Sequence, residues 1–204
     1  MNVVWNRAFS RILTIVAAIG LAGILLSGCD RLSVKKSMEG ENYSLVDQDG
    51  SATEFPAAYS GEVMLVGYVY THCPDICPMI TYNMRDIQRE LSDEENFMLV
   101  SISFDPDRDT PEILFDYAEN YRLDQSNWRL LTGNPSEVDE VLETLEISTV
   151  KTPTSFSDGK ARYYIDHTDR VTLIGKNGDV RNTYVGSKMN QEEIISDIHK
   201  LLTE

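Results

Sequence analysis

The chain has 204 residues, with 33 acidic against 18 basic side chains and a formal net charge of −15. Phosphate backbones repel so acidic a chain, which excludes nucleic acid as a partner and favours a basic protein patch or a cation. A chain this long buries a real core without disulfide staples.

Residues 1–28 read as a secretory signal. Arg7 and Arg11 form the basic start, and Ile12 to Leu26 is an apolar run broken only by Thr14. Leu26-Ser27-Gly28-Cys29 carries the small residues a signal peptidase needs. This end resembles a bacterial lipobox, which implies cleavage before Cys29 and lipidation of that residue. The alternative is a retained transmembrane helix, for which the apolar run is short of roughly 20 residues. Two or more acyl chains anchor a protein stably. Either reading places the folded part outside the cytoplasm, held at the cell membrane on its extracytoplasmic face. Loss of Arg7 and Arg11 takes the charge from −15 to −17.

Residues 29–42 are polar and lack periodicity, as expected of a lipidated tether. Residues 43–204 are long enough for one domain. Tyr43 to Phe55 predicts a hairpin turning at Asp49-Gly50. Val63 to Tyr70 and Phe97 to Phe104 are apolar runs of buried-strand length. Between them Ile80, Met84, Ile87 and Leu91 recur at helical spacing, which predicts a helix from about Pro78 to Leu91. Thr110-Pro111 and Asn134-Pro135 open two further helices, with a short strand near Leu130 between them. Val171 to Gly175 and Val180 to Val185 flank Asn177-Gly178, a strong hairpin signal. A final helix follows Asn190, with Ile194, Ile195, Ile198, Leu201 and Leu202 inward.

This order predicts an α/β fold: a central mixed sheet with helices on both faces and an N-terminal hairpin, a thioredoxin-like arrangement. Cys73 and Cys77 fall between the first buried strand and its helix, where a paired-cysteine motif supports that fold. Thioredoxins have two residues between the thiols, and this chain has three. Pro78 disfavours helical geometry at Cys77, which predicts that Cys77 caps the helix. The positive helix end favours thiolate, the form that ligates metal or attacks a disulfide. The spacing permits both fates.

Two thiolates under-coordinate a metal, and the chain has three histidines. His199 lies between Asp197 and Lys200 as a solvated helix residue. His72 abuts Cys73, but strand alternation points neighbouring side chains apart. His167 sits in Asp166-His167-Thr168, a loop entering the Val171 strand, which such a fold places beside the cysteine loop. On spacing alone it is either a third ligand or an ordinary loop histidine.

Four blocks stand in fixed order: Tyr70-Thr71-His72-Cys73-Pro74-Asp75-Ile76-Cys77-Pro78, Asp105-Pro106-Asp107-Arg108-Asp109-Thr110-Pro111, Leu131-Thr132-Gly133 and Asp166-His167. Together they resemble the signature of the Sco/SenC family of copper proteins, from about residue 43 to the C-terminus. The resemblance implies a membrane-tethered, thioredoxin-like protein with copper ligands Cys73, Cys77 and His167. It implies Cu(I), Cu(II) or both as the cargo, and as partner the cytochrome c oxidase subunit that holds the dinuclear copper site. Thiol reductants or other copper carriers are implied upstream. A rival reading makes the Cys73/Cys77 pair a thiol–disulfide oxidoreductase couple that reduces the recipient's cysteines. A Cys2His set also suits zinc.

Other motifs carry less. Asp105, Asp107 and Asp109 alternate as in a calcium loop, but Thr110 stands where that loop requires glycine. A strand-to-helix turn with Arg108 paired locally is expected instead. Met79 and Met84 are soft donors, with Met84 on the apolar helix face. Tyr163 and Tyr164 are expected to pack near His167.

Overall fold

Val63–Val69 (β3) buries all seven of its side chains, and a strand covered on both faces belongs inside a parallel sheet. In this computed structural model, which describes residues 31–155 and 161–204, it does so. It runs parallel to β4 (Phe97–Ser103), and β4 runs parallel to β5 (Trp128–Gly133). On the far side of β5 lies the antiparallel hairpin β1 (Tyr43–Asp47) and β2 (Ala52–Phe55). On the far side of β3 lies the hairpin β8 (Val171–Ile174) and β9 (Val180–Tyr184). The seven strands stand in the order β2-β1-β5-β4-β3-β8-β9. The predicted signal segment, its lipobox and Cys29 lie outside the described residues.

The four described helices cover both faces. Alternate residues of β3 and β4 (Val63, Leu65, Phe97, Leu99) pack against α1 (Ile76–Glu90), α2 (Pro111–Tyr121) and α4 (Gln191–Leu202). The intervening set (Met64, Val66, Val100, Ile102) packs against α3 (Pro135–Thr144). The caps are as expected. Thr110 accepts from the Ile113 amide, Asn134 from Ser136 and Asn190 from Glu193. Each satisfies an amide the helix leaves unpaired.

Three local expectations are corrected. First, α1 begins at Ile76 with Asp75 at the cap, so Cys77 lies inside the first turn and Pro78 one residue further in. The first four amides of a helix have no intrahelical partner, so proline loses nothing there. Second, Thr149–Ser155 (β6) and Ala161–His167 (β7) form a separate two-stranded sheet where a loop was expected. His167 ends β7. Third, the expected tether is bound from Leu32 onward. The Lys35 and Lys36 amides donate to the Val180 carbonyl, Arg181 donates to the Leu32 carbonyl, and Met38 is buried.

Candidate metal centre

Three different elements deliver Cys73, Cys77 and His167 to one point. Cys73 stands in the turn after β3, Cys77 in the first turn of α1, and His167 at the end of β7. Their ligating atoms all lie within 4.8 Å of one another. Among the described residues, no other group of three His, Cys, Asp or Glu side chains is placed to hold an ion. The Cys77 sulfur and His167 Nε2 are 3.7 Å apart. One ion bonded to both atoms, at about 2.3 Å to sulfur and 2.1 Å to nitrogen, could span a separation of this size. The donor set therefore fits a soft, low-coordinate metal ion.

Local hydrogen bonds orient each donor. The Cys77 amide donates to the Cys73 sulfur at 3.4 Å, one of the free helix-start amides. His167 Nδ1 lies 3.0 Å from the Thr168 carbonyl oxygen, which can only accept. That bond places the proton on Nδ1 and leaves the Nε2 lone pair facing Cys77, the arrangement that fixes an imidazole for metal binding. The ring also stacks on Phe104, with centroids 4.6 Å apart.

The two sulfurs are electrostatically unequal. The Cys77 thiol hydrogen bonds to Cys73 and, against the effect of burial, holds its pKa well below the usual thiol range. The Asp75 and Cys77 amides add to the lowering. Cys77 moves upward through the same shared hydrogen bond, its burial and the charge on Cys73. In the metal-free pair Cys73 is the thiolate and Cys77 the thiol. Cys73 is half-buried and lines a cleft of about 370 Å³, with Tyr70, Pro74, Ile165 and His167 among its walls. Cys77 is fully buried.

The remaining sequence candidates fall outside this triad. His72 is exposed and shares a 3.1 Å contact with the Thr71 hydroxyl. His199 is half-exposed beside Glu94. Met84 is fully buried in the core, and Met79 is 45% exposed. Asp166 accepts from the Thr152 hydroxyl at 3.1 Å and is exposed. The Asp105–Asp109 turn is structural, as expected of a strand-to-helix turn. Sequence reasoning missed what it holds. The fully buried Asp109 accepts from the Thr71 amide and hydroxyl and from the Ser103 hydroxyl. Asp105 accepts from Tyr163 and Arg108. The acids are visible in that motif, but their partners Thr71 and Tyr163 stand 38 and 58 positions away.

Comparison with known proteins agrees with this geometry. The family model described as SCO1/SenC matches residues 33–203. The SCO1 protein homolog of Bacillus subtilis is 32% identical, over 90% of this chain and 94% of its own. The structure of Bradyrhizobium japonicum ScoI with copper bound superposes with a TM-score of 0.67 at 27% identity, covering 79% of this chain and 98% of that one. BsSco, described as having a disulfide switch and as a member of the Sco family of cytochrome c oxidase assembly proteins, has a TM-score of 0.64 at 29% identity. That match covers 85% of this chain and 96% of BsSco. With its thioredoxin-like fold and its cysteine–cysteine–histidine cluster, the chain belongs to the SCO1/SenC family.

Proposed function

We propose that this protein is a membrane-anchored copper carrier that delivers copper to, or prepares, the dinuclear copper site of cytochrome c oxidase. The observation that carries the reading is the convergence of Cys73, Cys77 and His167 within 4.8 Å. Copper is the cargo, because thiolates select Cu(I) and imidazole suits both of its oxidation states. Two sulfurs and one nitrogen leave a coordination position open toward the cleft. A recipient's ligand can join there before a donor ligand leaves. The half-buried Cys73 is the first sulfur to be exchanged, and the buried Cys77 and carbonyl-held His167 keep the ion until then. The lipid on Cys29 keeps the carrier at the membrane that holds its recipient.

A second reading rests on the unequal thiols. The Cys73 thiolate attacks a recipient disulfide, forming a mixed disulfide and releasing one recipient thiolate. Cys77 then passes its proton to His167 Nε2, 3.7 Å away, and attacks Cys73. The recipient leaves as a dithiol, Cys73 and Cys77 become a disulfide, and a cellular thiol reductant restores them. One site performs both jobs at different times.

The test is copper loading of residues 30–204 in wild type and in Cys73→Ala, Cys77→Ala and His167→Ala. Each variant is expected to lose tight binding under reducing conditions or with copper(II). An unchanged affinity in His167→Ala would remove that residue from the site. Zinc binding tighter than copper would sink the copper reading.

A further inference from the structure

We propose that Arg108, together with Asp105, is a positioning residue that sets the approach of His167 to the cysteine pair. The inference rests on the copper reading above for its purpose, and on geometry alone for its mechanics. The β6–β7 sheet carries His167 but pairs with no strand of the main sheet. Its backbone register therefore cannot fix where His167 stands relative to Cys77. Side chains add that constraint, and several of them converge on one turn.

Asp105 is fully buried. It accepts from the Tyr163 hydroxyl at 2.7 Å and forms an ion pair with Arg108. The Arg108 guanidinium carbon lies over the Tyr163 ring, 3.8 Å from its centroid, and the side chain donates to the Tyr163 carbonyl at 3.4 Å. The Tyr70 ring centroid is 5.6 Å from the same guanidinium carbon. Tyr70 in turn accepts from the Ile165 amide at 3.4 Å. Arg108 thus links β7, four residues before His167, to the end of β3, three residues before Cys73. Four residues from Asp105 in the same turn, Asp109 grips Thr71, two residues before Cys73. One rigid turn therefore holds the carriers of both ligand types. A planar cation that stacks and donates sideways suits this place, and an ammonium does not. Burial strengthens the ion pair and makes its loss costly.

The test is a double-mutant cycle on copper(II) affinity with Arg108→Ala and His167→Ala, read beside the thiolate-to-copper absorption band. Removing an outer partner of a metal ligand typically weakens binding about 10- to 100-fold. Arg108→Ala is expected to lose affinity in that range and to shift the band toward that of His167→Ala. Arg108→Lys should fail to restore either. The double variant should bind no more weakly than His167→Ala alone, because an unheld histidine has nothing left to lose. Losses that multiply, or an unchanged Arg108→Ala, overturn the proposal.

A second readout needs no metal. Hydrogen exchange in metal-free Tyr163→Phe, which removes one hydroxyl, should quicken at Ile165 and stay unchanged at Ile102 in β4. Uniform quickening would mean a general loss of stability and would overturn the positioning role. If wild type itself binds copper no better than His167→Ala, the ligand set above fails, while the exchange result still decides whether the turn holds β7.

Discussion

At Cys73 and Cys77 one proton is shared unequally, and the inequality follows from placement. Both sulfurs face the start of α1, but only Cys73 receives the Cys77 amide and the Cys77 thiol as donors. Burial and the adjacent negative sulfur raise Cys77. Alkylation by iodoacetamide requires thiolate and access, and Cys73 has both. In reduced, metal-free protein at about pH 6, where an ordinary thiol is almost wholly protonated, Cys73 is expected to be modified quickly and Cys77 hardly at all. Because the Cys73 pKa is lowered, its rate should stay flat as pH falls toward that value and drop only below it. Peptide mapping after timed quenching reads this directly. Equal labelling of the two, or a Cys73 rate that climbs between pH values of about 6 and 9 like a free thiol, would contradict the assignment.

Elements that bury a whole face announce themselves, and those that serve only the site do not. β3 is apolar throughout and β4 is broken only by Ser101 and Ser103, and α2, α3 and α4 open on Thr110, Asn134 and Asn190 as capping chemistry requires. All five were legible in the sequence. α1 shows the tightest dependence on one residue. A Cβ on Gly67, in the middle of β3, would stand 2.5 Å from Met84 Sδ and 3.5 Å from Ile80, both fully buried. Gly67→Ala is therefore expected to overpack the β3–α1 contact and cost about 1–3 kcal/mol. Urea unfolding with an unchanged m-value measures it. Because α1 carries Cys77, copper affinity should fall as well, and a variant as stable as wild type would show that Met84 yields freely. β6 was not legible for a physical reason. Val150, Lys151, Thr152 and Pro153 are all exposed, so no apolar face is written into that strand. β7 does alternate, with Tyr163, Ile165 and His167 more buried than Tyr164 and Asp166. A period-two reading of 163–167 would have found the strand and the direction of His167. The three side chains that converge, Cys73, Cys77 and His167, were legible as residues. The turn that holds them was not, since the link from Asp105 to Tyr163 spans 58 positions and leaves no local pattern.

Across the whole folded unit, the segment after the expected lipid site does more than connect. Arg181 on β9 is buried and joins both ends of the described chain. It donates to the Leu32 carbonyl and to both oxygens of Glu204, at 2.8 and 2.9 Å. Asp179 accepts from the Ser37 hydroxyl and the Met38 amide, and Val180 pairs with Lys36. The segment is thus an added edge to the seven-stranded sheet, with Met38 in the core. Burying a methionine side chain contributes about 1.5–3 kcal/mol, and Arg181 would lose one of its buried acceptors. Deleting residues 31–38 is expected to cost at least about 2 kcal/mol, a fall in Tm of about 4–8 °C for a unit of this size. Deleting only residues 1–30 keeps every one of these contacts and should lower Tm less than deleting residues 31–38. The comparison separates a docked strap from a passive spacer. Equal melting of the two truncated proteins would show that residues 31–38 act as slack.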